Sequence, residues 1–298
     1  MPDHAPTLEL NDGSRIPQLG FGVFMIDEQN TRETVATALA AGYRHVDTAA
    51  AYGNESQVGE AVRTCNEHVY VTTKYFNPSA DHGRADATAA FGASLARLGL
   101  DHIDLYLIHW PVRAGEGFVQ SWRALTELRE DAGRRSIGVS NFSATQLEQV
   151  IDATGVTPAV NQVELHPYFQ QTELRRIHAE RGIATEAWGP LGQGTRHAAK
   201  VLDDPVLAEI GRAHGKSVGQ VVVRWHLQIG NIVIPKSTNP TRIRQNYDVF
   251  DFELTDENMA AIATLDRGGR NGPDPDTFNF PAPYRGIAHE RGLPDRAD

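Results

Sequence analysis

The chain has 298 residues, with 28 basic and 38 acidic side chains that give a formal net charge of −10. This acidic balance argues against a nucleic-acid-binding surface, and the single cysteine, Cys65, excludes an internal disulfide framework and indicates a reducing compartment. No secretory signal and no apolar run of roughly 18 residues are visible, so we expect a soluble cytoplasmic protein that binds neither nucleic acid nor membrane.

The first predicted element is a β-hairpin over residues 8–23. Asn11-Asp12-Gly13 supplies its turn, and Pro17 marks an edge strand because proline cannot donate to a sheet ladder. Short apolar runs then alternate with helical patterns, and such runs are typical of parallel strands that are covered on both faces. After a first strand over Leu19–Phe24, further strands are predicted to begin near Tyr43, Val69, Ile103, Arg135, Ala159, Ile183 and Asn231.

Helical patterns lie between these strands, and several of them end at a glycine, as helix C-termini commonly do. The stretch 189–230 is too long for one crossover helix, so we expect it to hold a loop and two helices. A short extra helix is predicted after the last strand. The predicted helices span residues 31–41, 55–64, 85–98, 118–130, 144–153, 172–181, 205–214, 218–229 and 240–246.

Eight strands alternating with helices over about 250 residues predict an α/β fold, the (β/α)8 or TIM barrel. An open doubly wound sheet is the structural alternative. No linker rich in Gly, Ser or Pro divides the chain, so we predict a single barrel domain over residues 1–272, with the N-terminal β-hairpin and extra helices near its C-terminus. The aperiodic tail over residues 273–298 is expected to be draped over a barrel face or disordered.

Four titratable side chains lie at or just past the ends of successive predicted strands: Asp47, Tyr52, Lys74 and His109. Taken singly, each has an ordinary explanation, such as a helix cap for the Asp or a core position for the His. Barrels, however, place their chemistry at the carboxyl ends of their strands. Because all these groups fall at that end, we interpret them as one catalytic site.

This group of side chains has the composition needed to reduce a carbonyl. Hydride attack puts negative charge on the carbonyl oxygen, and the Tyr52 phenol would supply the proton. A neighbouring ammonium lowers the pKa of a phenol, so Lys74 is expected to make Tyr52 more acidic. Asp47 would hold and balance Lys74, and His109 would orient the carbonyl or share the proton.

The amino-acid sequence around these residues resembles that of the aldo-keto reductases. Gly42 to Gly59 looks like their first signature, and Ile234-Pro235-Lys236-Ser237 with Arg242 and Asn246 looks like their last. The similarity runs from about Leu8 to Gly272. Among the aldo-keto reductases, the chain is most similar to the prokaryotic 2,5-diketo-D-gluconate reductases, through Gly138–Phe142, Asn161–Pro167 and Trp188–Gly194.

The resemblance implies a (β/α)8 barrel, NADPH as hydride donor and no metal. It assigns Asp47, Tyr52, Lys74 and His109 to catalysis, and it implies a set of cofactor-binding residues. The nicotinamide carboxamide would be bound by Ser140, Asn141 and Gln162, and the nicotinamide ring would stack on Trp188. The pyrophosphate would be bordered by Leu191 and Gln193. The 2′-phosphate would be bound by Lys236, Ser237 and Arg242, and the adenine side would be completed by Gln245 and Asn246.

Elementary physics supports the 2′-phosphate assignment, because two cations and a hydroxyl beside a helix start form an anion site. The substrate pocket is expected to be lined by Phe24, Tyr75, Phe76 and Trp110. The implied reaction is NADPH-dependent reduction of small aldehydes, ketones or keto acids, among them α-dicarbonyls and diketo sugar acids. By the same resemblance, the only partner expected is this small-molecule substrate, and the chain is expected to be a monomer.

Two motifs suggest other cofactor sites and are rejected. Tyr70 and Lys74 have the spacing of the Tyr-Lys pair of short-chain dehydrogenases, which needs a helix, where such residues lie roughly 6 Å apart. On a strand the separation is about 13 Å, so Tyr70 is assigned to the core. Gly20-Phe21-Gly22 lacks the third glycine and the strand–helix unit of a dinucleotide-binding loop.

Two other functional classes stay open. The first is a metal-dependent barrel hydrolase or isomerase, since the chain has 12 histidines. It is disfavoured because pairs such as His102 and His109 or His166 and His178 lack zinc-like spacing and no cysteine cluster exists. The second is a non-catalytic NADPH-binding regulatory barrel, which the presence of all the candidate catalytic residues disfavours.

Overall fold

The structure is a computed structural model, and it describes residues 5–75, 84–111, 117–131, 136–192 and 200–278. Eight parallel strands form one sheet in which each strand pairs with its neighbours in the sequence. The first and last of these strands meet, because Gly20 donates its N–H to the Val233 carbonyl at 2.9 Å and Val233 donates to Gln18 at 2.9 Å. The sheet is therefore closed. The predicted (β/α)8 barrel is confirmed, and the open doubly wound sheet is wrong.

All the predicted strands are present, within about two residues of their expected starts. The hairpin comes first and the barrel strands follow in chain order. The strands are β1 Thr7–Glu9, β2 Arg15–Pro17, β3 Phe21–Gly22, β4 His45–Asp47, β5 Tyr70–Tyr75, β6 Leu105–Ile108, β7 Ser136–Ser140, β8 Val160–Glu164, β9 Ala184–Trp188 and β10 Ile232–Val233.

The predicted helices are also present, and the structure adds one that the sequence reasoning missed. Its start could have been recognised, because Thr255 and Asn258 form a capping box and two acidic residues follow the cap. The helices are α1 Glu28–Ala41, α2 Glu55–Val62, α3 Arg84–Leu98, α4 Gly117–Asp131, α5 Ala144–Thr154, α6 Thr172–Arg181, α7 Pro205–His214, α8 Val218–Gln228, α9 Pro240–Tyr247 and the additional α10 Asp256–Ala263.

The N-terminal hairpin closes one end of the barrel. Its strands pair antiparallel, with Leu8 opposite Ile16. Ile16 and Leu10 are buried in one apolar cluster with Leu105 and Leu107 of β6, which point into the barrel. Because this cluster fills the end where the strands begin, the polar side chains of the interior lie toward the opposite, carboxyl end.

A second and larger apolar cluster lies between the sheet and the surrounding helices, and it includes the fully buried Trp122 and Trp225. Alternate residues of a strand face opposite sides of the sheet. In β5, Val71 and Tyr75 face this outer cluster, so Lys74 faces the barrel interior. Among the described residues, no helix has both the length and the apolarity that a membrane span requires.

Close contact between two crossover helices generates a stability prediction. Gly59 of α2 packs on the end of α3, and a Cβ at this position would overlap the carbonyl oxygen of Leu98. Backbone cannot turn aside as a flexible side chain can. We expect Gly59→Ala to lower the free energy of unfolding by about 2–4 kcal/mol, measured by urea denaturation.

Gly92→Ala is the matched control, because Gly92 lies in α3 and a Cβ there has no atom within 4 Å. Alanine is the better helix former, so this variant should be as stable as the parent or up to about 1 kcal/mol more stable. Equal stability of the two alanine variants would show that α2 and α3 do not pack as described.

Candidate active site

Separate elements bring the candidate catalytic side chains to the carboxyl end of the barrel. Asp47 is the last residue of β4, and Tyr52 ends a short 3-10 turn, Ala50–Tyr52, that follows it. Lys74 lies on β5, and His109 directly follows β6. Strands β4, β5 and β6 are consecutive in the sheet, so the end of the barrel at which they finish collects all of these groups.

Lys74 is fully buried, and its ammonium is held by two oxygens. It donates to the Asp47 carboxylate at 2.6 Å and to the Thr48 carbonyl at 2.9 Å. A buried cation without such partners would be strongly unfavourable. The expectation that Asp47 is the partner of Lys74 therefore agrees with the geometry.

Three rings and the ammonium of Lys74 form a compact group. The Lys74 Nζ lies 5.1 Å from the centroid of the Tyr52 ring. The Tyr52 ring meets the His109 ring edge to face at 5.6 Å between centroids, and the Phe24 ring lies 5.0 Å from Tyr52. The phenol is thus enclosed by a cation, an imidazole and an apolar wall.

The protein environment raises the pKa of Tyr52 well above its ordinary value of 10.0. Burial is the main cause, and the negative charges of Asp47 and Glu186 add to it. This corrects the expectation that Lys74 makes the resting phenol more acidic. The positive charge of Lys74 is largely balanced by Asp47. In this structure Tyr52 is therefore a neutral phenol that holds its proton at neutral pH.

His109 is also uncharged. Burial lowers its pKa well below 6.5, and the Lys74 charge lowers the pKa further. A neutral imidazole carries one N–H donor and one acceptor nitrogen, so it can hydrogen-bond a carbonyl oxygen without adding a cation. The Asn141 side chain fixes the backbone here, because its amide donates to the His109 carbonyl at 3.0 Å.

A second buried carboxylate, Glu186, joins the site and was missed from the sequence. The Gln162 amide nitrogen donates to Asp47 at 2.8 Å and to Glu186 at 3.0 Å, so it links the two acids. Burial and the nearby Asp47 charge raise the pKa of Glu186 to about 8. Its signal in the sequence was a charged residue inside a buried strand, the same signal that identified Lys74.

The residues assigned to the nicotinamide end form a connected polar group. Asn141 has a positive φ of 65°, which its side chain tolerates better than most. It accepts a hydrogen bond from the Trp188 indole at 2.8 Å and donates to Ser140 at 3.1 Å. The structure therefore brings Ser140, Asn141, Gln162 and Trp188 to one side of the site.

The start of the C-terminal tail is tied to this group through Glu164. Its two carboxylate oxygens accept the backbone N–H groups of Asn271 at 2.6 Å and Gly272 at 2.8 Å. Gly272 lies against Trp188, since a Cβ there would be 2.6 Å from the indole. This link has no signal in the sequence, because its partners are more than 100 residues apart.

The tail also reaches the expected substrate wall. The Phe278 ring lies 5.0 Å from the Trp110 ring, and Asp276 accepts hydrogen bonds from Ser143 and Gln146 of the α5 start. These tail residues thus lie against Trp110 and the start of α5, and the tail beyond residue 278 lies outside the described residues.

The residues assigned to the 2′-phosphate surround the start of α9. Asn239 caps this helix by accepting from the N–H groups of Thr241 and Arg242. Lys236 donates to the Met25 carbonyl at 3.3 Å, and Ser237 accepts from the Asn239 N–H at 3.1 Å. Arg242 is exposed on the first turn. A helix N-terminus flanked by two cations favours an anion.

Other expected site residues are less directly placed. Tyr75, expected in the pocket wall, faces the outer core, with its ring 6.4 Å from Tyr106, because β5 continues past Lys74 and alternation turns Tyr75 outward. Phe76 and Gln193 lie outside the described residues. Leu191 is half-buried against the core, while Gln245 is exposed and Asn246 is buried on α9.

A cavity of about 250 Å³ lies beneath the tail, beside this site rather than over the catalytic group. Its lining includes Asn141, Glu164, Arg270 and Asp276. Asn141 and Glu164 thus line this cavity and also belong to the hydrogen-bonded group that holds Trp188 and the tail.

Similarity to known proteins establishes the family of this chain. Residues 18–267 match the family model described as the aldo/keto reductase family. This chain belongs to the aldo/keto reductase family. An aldo-keto reductase of Mycobacterium sp. (strain KMS) is 54% identical, with 93% of this chain and 99% of that protein covered.

Two further relatives give more detail. The methylglyoxal reductase DkgA of Escherichia coli (strain K12) is 45% identical, with 91% of this chain and 97% of that protein covered. The crystal structure of a Gox0644 mutant in complex with NADPH is 44% identical, with 93% of this chain and 99% of that chain covered and a TM-score of 0.87. The resemblance inferred from the motifs is therefore confirmed.

Glu186 generates a prediction about pH-dependent stability. Its pKa is raised from 4.5 to about 8 in the folded protein. Between these values the unfolded chain releases the proton and the folded protein keeps it, so this group costs stability as pH rises, by up to about 1.4 kcal/mol per pH unit. We expect Glu186→Gln to gain stability relative to the parent between pH 5 and pH 8, measured by urea denaturation.

Glu209→Gln, on an exposed position of α7, is the control for the same change of charge. Only the buried substitution should show a stability difference that grows with pH. If Glu186→Gln differs from the parent by the same amount at both pH values, Glu186 is ionised in the folded protein, and burial with the Asp47 charge does not raise its pKa.

Proposed function

We propose that this protein reduces small aldehydes, ketones or keto acids to alcohols with NADPH, and that Tyr52 is the general acid. The single observation that carries this is the enclosure of the Tyr52 ring between the buried Lys74–Asp47 pair and the neutral His109. Proton donor, charge stabiliser and carbonyl-orienting group are thus within one site. The solved relative in complex with NADPH supports the cofactor.

NADPH supplies a hydride to the carbonyl carbon, and the protein supplies the proton and the positioning. Trp188, held by Asn141, gives a flat surface for the nicotinamide ring. Gln162 has given its amide hydrogens to Asp47 and Glu186, so its amide oxygen is the group it offers to the carboxamide N–H. Lys236, Ser237 and Arg242 receive the 2′-phosphate at the α9 start.

The raised pKa of Tyr52 fits this role when the charge is followed through the reaction. The neutral phenol is the proton-carrying form over the neutral pH range. As negative charge grows on the substrate oxygen, Tyr52 passes its proton to that oxygen and the charge moves to the phenolate. Lys74, whose Nζ lies 5.1 Å from the centroid of the Tyr52 ring, stabilises this phenolate, so its effect is exerted in the transition state, where it speeds the reaction.

The substrates we propose are small and carry two carbonyl groups, such as α-dicarbonyls and diketo sugar acids. The supporting observations are the methylglyoxal reductase among the relatives and the aromatic walls around Tyr52. Phe24 lies against the Tyr52 ring, and Trp110 lies against Phe278 of the tail. We also propose that the chain acts as a monomer in the cytoplasm, as a single barrel domain over residues 1–272 with its tail across the site.

Replacing Tyr52 tests the proposed acid. Tyr52→Phe removes the proton donor and keeps the ring, so kcat for a panel of aldehydes and α-dicarbonyls should fall about 10²–10⁴-fold. Binding of NADPH, followed by quenching of tryptophan fluorescence, should be unchanged. NADPH absorbance reports turnover.

Tyr70→Phe is the matched control, since Tyr70 lies on β5 in the apolar cluster at the opposite end of the barrel. It should retain parental kcat, which also excludes the Tyr70–Lys74 pair as the catalytic one. Parental turnover in Tyr52→Phe would rule Tyr52 out as the acid. A parent protein that binds NADPH and reduces nothing in the panel would favour the regulatory barrel.

Replacing Arg242 tests the preference for NADPH. A charge-assisted hydrogen bond to the 2′-phosphate is worth about 1.5–3 kcal/mol, which corresponds to about a tenfold to hundredfold change. We expect Arg242→Ala to lower the NADPH-to-NADH ratio of kcat/KM by that factor, with little change in kcat/KM for NADH.

Arg244→Ala provides the comparison, because Arg244 is exposed on the same helix but two residues on, and so points in another direction. Its ratio of the two efficiencies should match the parent. An unchanged ratio in Arg242→Ala, with Arg244→Ala also unchanged, would remove Arg242 from the phosphate site.

A further inference from the structure

A cluster of two histidines and an aspartate lies at the end of the barrel opposite to the active site. His68 precedes β5, and His102 and Asp104 precede β6. One ligand atom from each of the three residues lies within 4.8 Å of the other two. The aldo/keto reductase chemistry described above uses none of them.

The distances suit a bound transition metal. The Asp104 Oδ1 lies 3.0 Å from the His68 Nε2 and 3.5 Å from the His102 Nε2. Ligand atoms around a tetrahedral Zn²⁺ with bonds of about 2.0–2.2 Å are about 3.3–3.5 Å apart. The imidazoles are 61% and 53% exposed, so small rotations of these rings can complete the geometry and an ion can enter from solvent.

Asp104 is already oriented for this role. Its second oxygen, Oδ2, accepts the backbone N–H of Val71 at 2.8 Å, and its own N–H donates to the Val71 carbonyl at 3.1 Å. Such hydrogen bonds fix a ligating carboxylate and leave one oxygen for the metal. Oδ1 is the oxygen that faces both imidazoles.

Rigid strands hold the cluster together. β5 and β6 pair in parallel, with Thr72 opposite Leu105, so the residues just before each strand are neighbours at the same end of the sheet. The rings of His68 and His102 stack at 16° with 5.6 Å between centroids. Within the described ranges, the basic groups within 4.0 Å of the Asp104 carboxylate are these two imidazoles, so no lysine or arginine there neutralises it.

We propose that His68, His102 and Asp104 form a binding site for a divalent transition metal of the Zn²⁺ class. Two imidazole nitrogens and one carboxylate oxygen suit Zn²⁺, Co²⁺ or Ni²⁺, whereas Mg²⁺ and Ca²⁺ prefer oxygen ligands alone. Three protein ligands leave a further coordination position open to solvent. This site departs from the expectation of no metal, which rested on the family resemblance and on the spacing of histidines along the chain, and not on the juxtaposition made by the pairing of β5 with β6.

Titration of the full-length, tag-free protein with Zn²⁺ tests the site, with heat of binding as the readout. The parent should bind one equivalent that is absent in the double variant His68→Ala, His102→Ala. Each single variant should weaken that equivalent at least about tenfold. Co²⁺ should give the visible absorption of tetrahedral coordination in the parent, and excess Mg²⁺ should not displace Zn²⁺.

His214→Ala is the control, because His214 is a partly buried histidine that bonds Asn258 elsewhere on the protein. Its Zn²⁺ binding should equal that of the parent. Thermal unfolding in EDTA checks that every variant is folded. If the double variant binds Zn²⁺ as the parent does, or if the parent binds no equivalent that the double variant lacks, the cluster is a hydrogen-bonded triad and the proposal is wrong.

Discussion

The buried ion pair between Lys74 and Asp47 is the interaction on which the rest of the site depends. Two charges inside a barrel are tolerated only when nearly all their hydrogen-bonding capacity is met, and loss of one partner typically costs about 3–5 kcal/mol. Here the Thr48 carbonyl and the Gln162 amide complete the set. The barrel divides its interior accordingly: the hairpin and apolar strand starts supply stability at one end, and the polar network occupies the other. Because the apolar packing inside the barrel lies at the other end, charged side chains can occupy the carboxyl end.

The same pair explains why the resting pKa values do not follow the simplest reasoning. Lys74 lies near the Tyr52 ring, yet its charge is matched by Asp47. Glu186 is a second buried acidic group in the same site. Burial is therefore the main cause of the raised pKa of Tyr52, and the carboxyl groups of Asp47 and Glu186 add to it. Catalysis requires only that the phenolate be better stabilised than the phenol when the proton leaves. A preorganised ammonium satisfies that requirement without acidifying the ground state.

Sequence periodicity was sufficient for the barrel because most strands lie in short runs rich in apolar residues and several helices end at a glycine. Lys74 stood out because a lysine interrupts such a run. Glu186 has the same property in Ala184–Trp188 and was overlooked. The direction of Tyr75 could not be predicted, because it depends on where β5 ends. Since β5 includes Tyr75, the alternation of a strand turns this side chain to the face opposite to Lys74. The Glu164 link and the His68 cluster could not be predicted, because both depend on contacts between residues far apart in the chain.

The tail and the nicotinamide surface cannot vary independently in this protein. Glu164 holds Asn271 and Gly272 by their backbone N–H groups, and Gly272 fits against Trp188 only because it has no side chain. Trp188 in turn is held by Asn141, which also fixes the backbone of His109. A shift of the tail would therefore be transmitted through Trp188 and Asn141 to His109, the residue that we propose orients the carbonyl. The same tail supplies Phe278 to the substrate wall. With the site residues assigned as we propose, substrate fit and cofactor alignment share one structural support, and a change in either is constrained by the other.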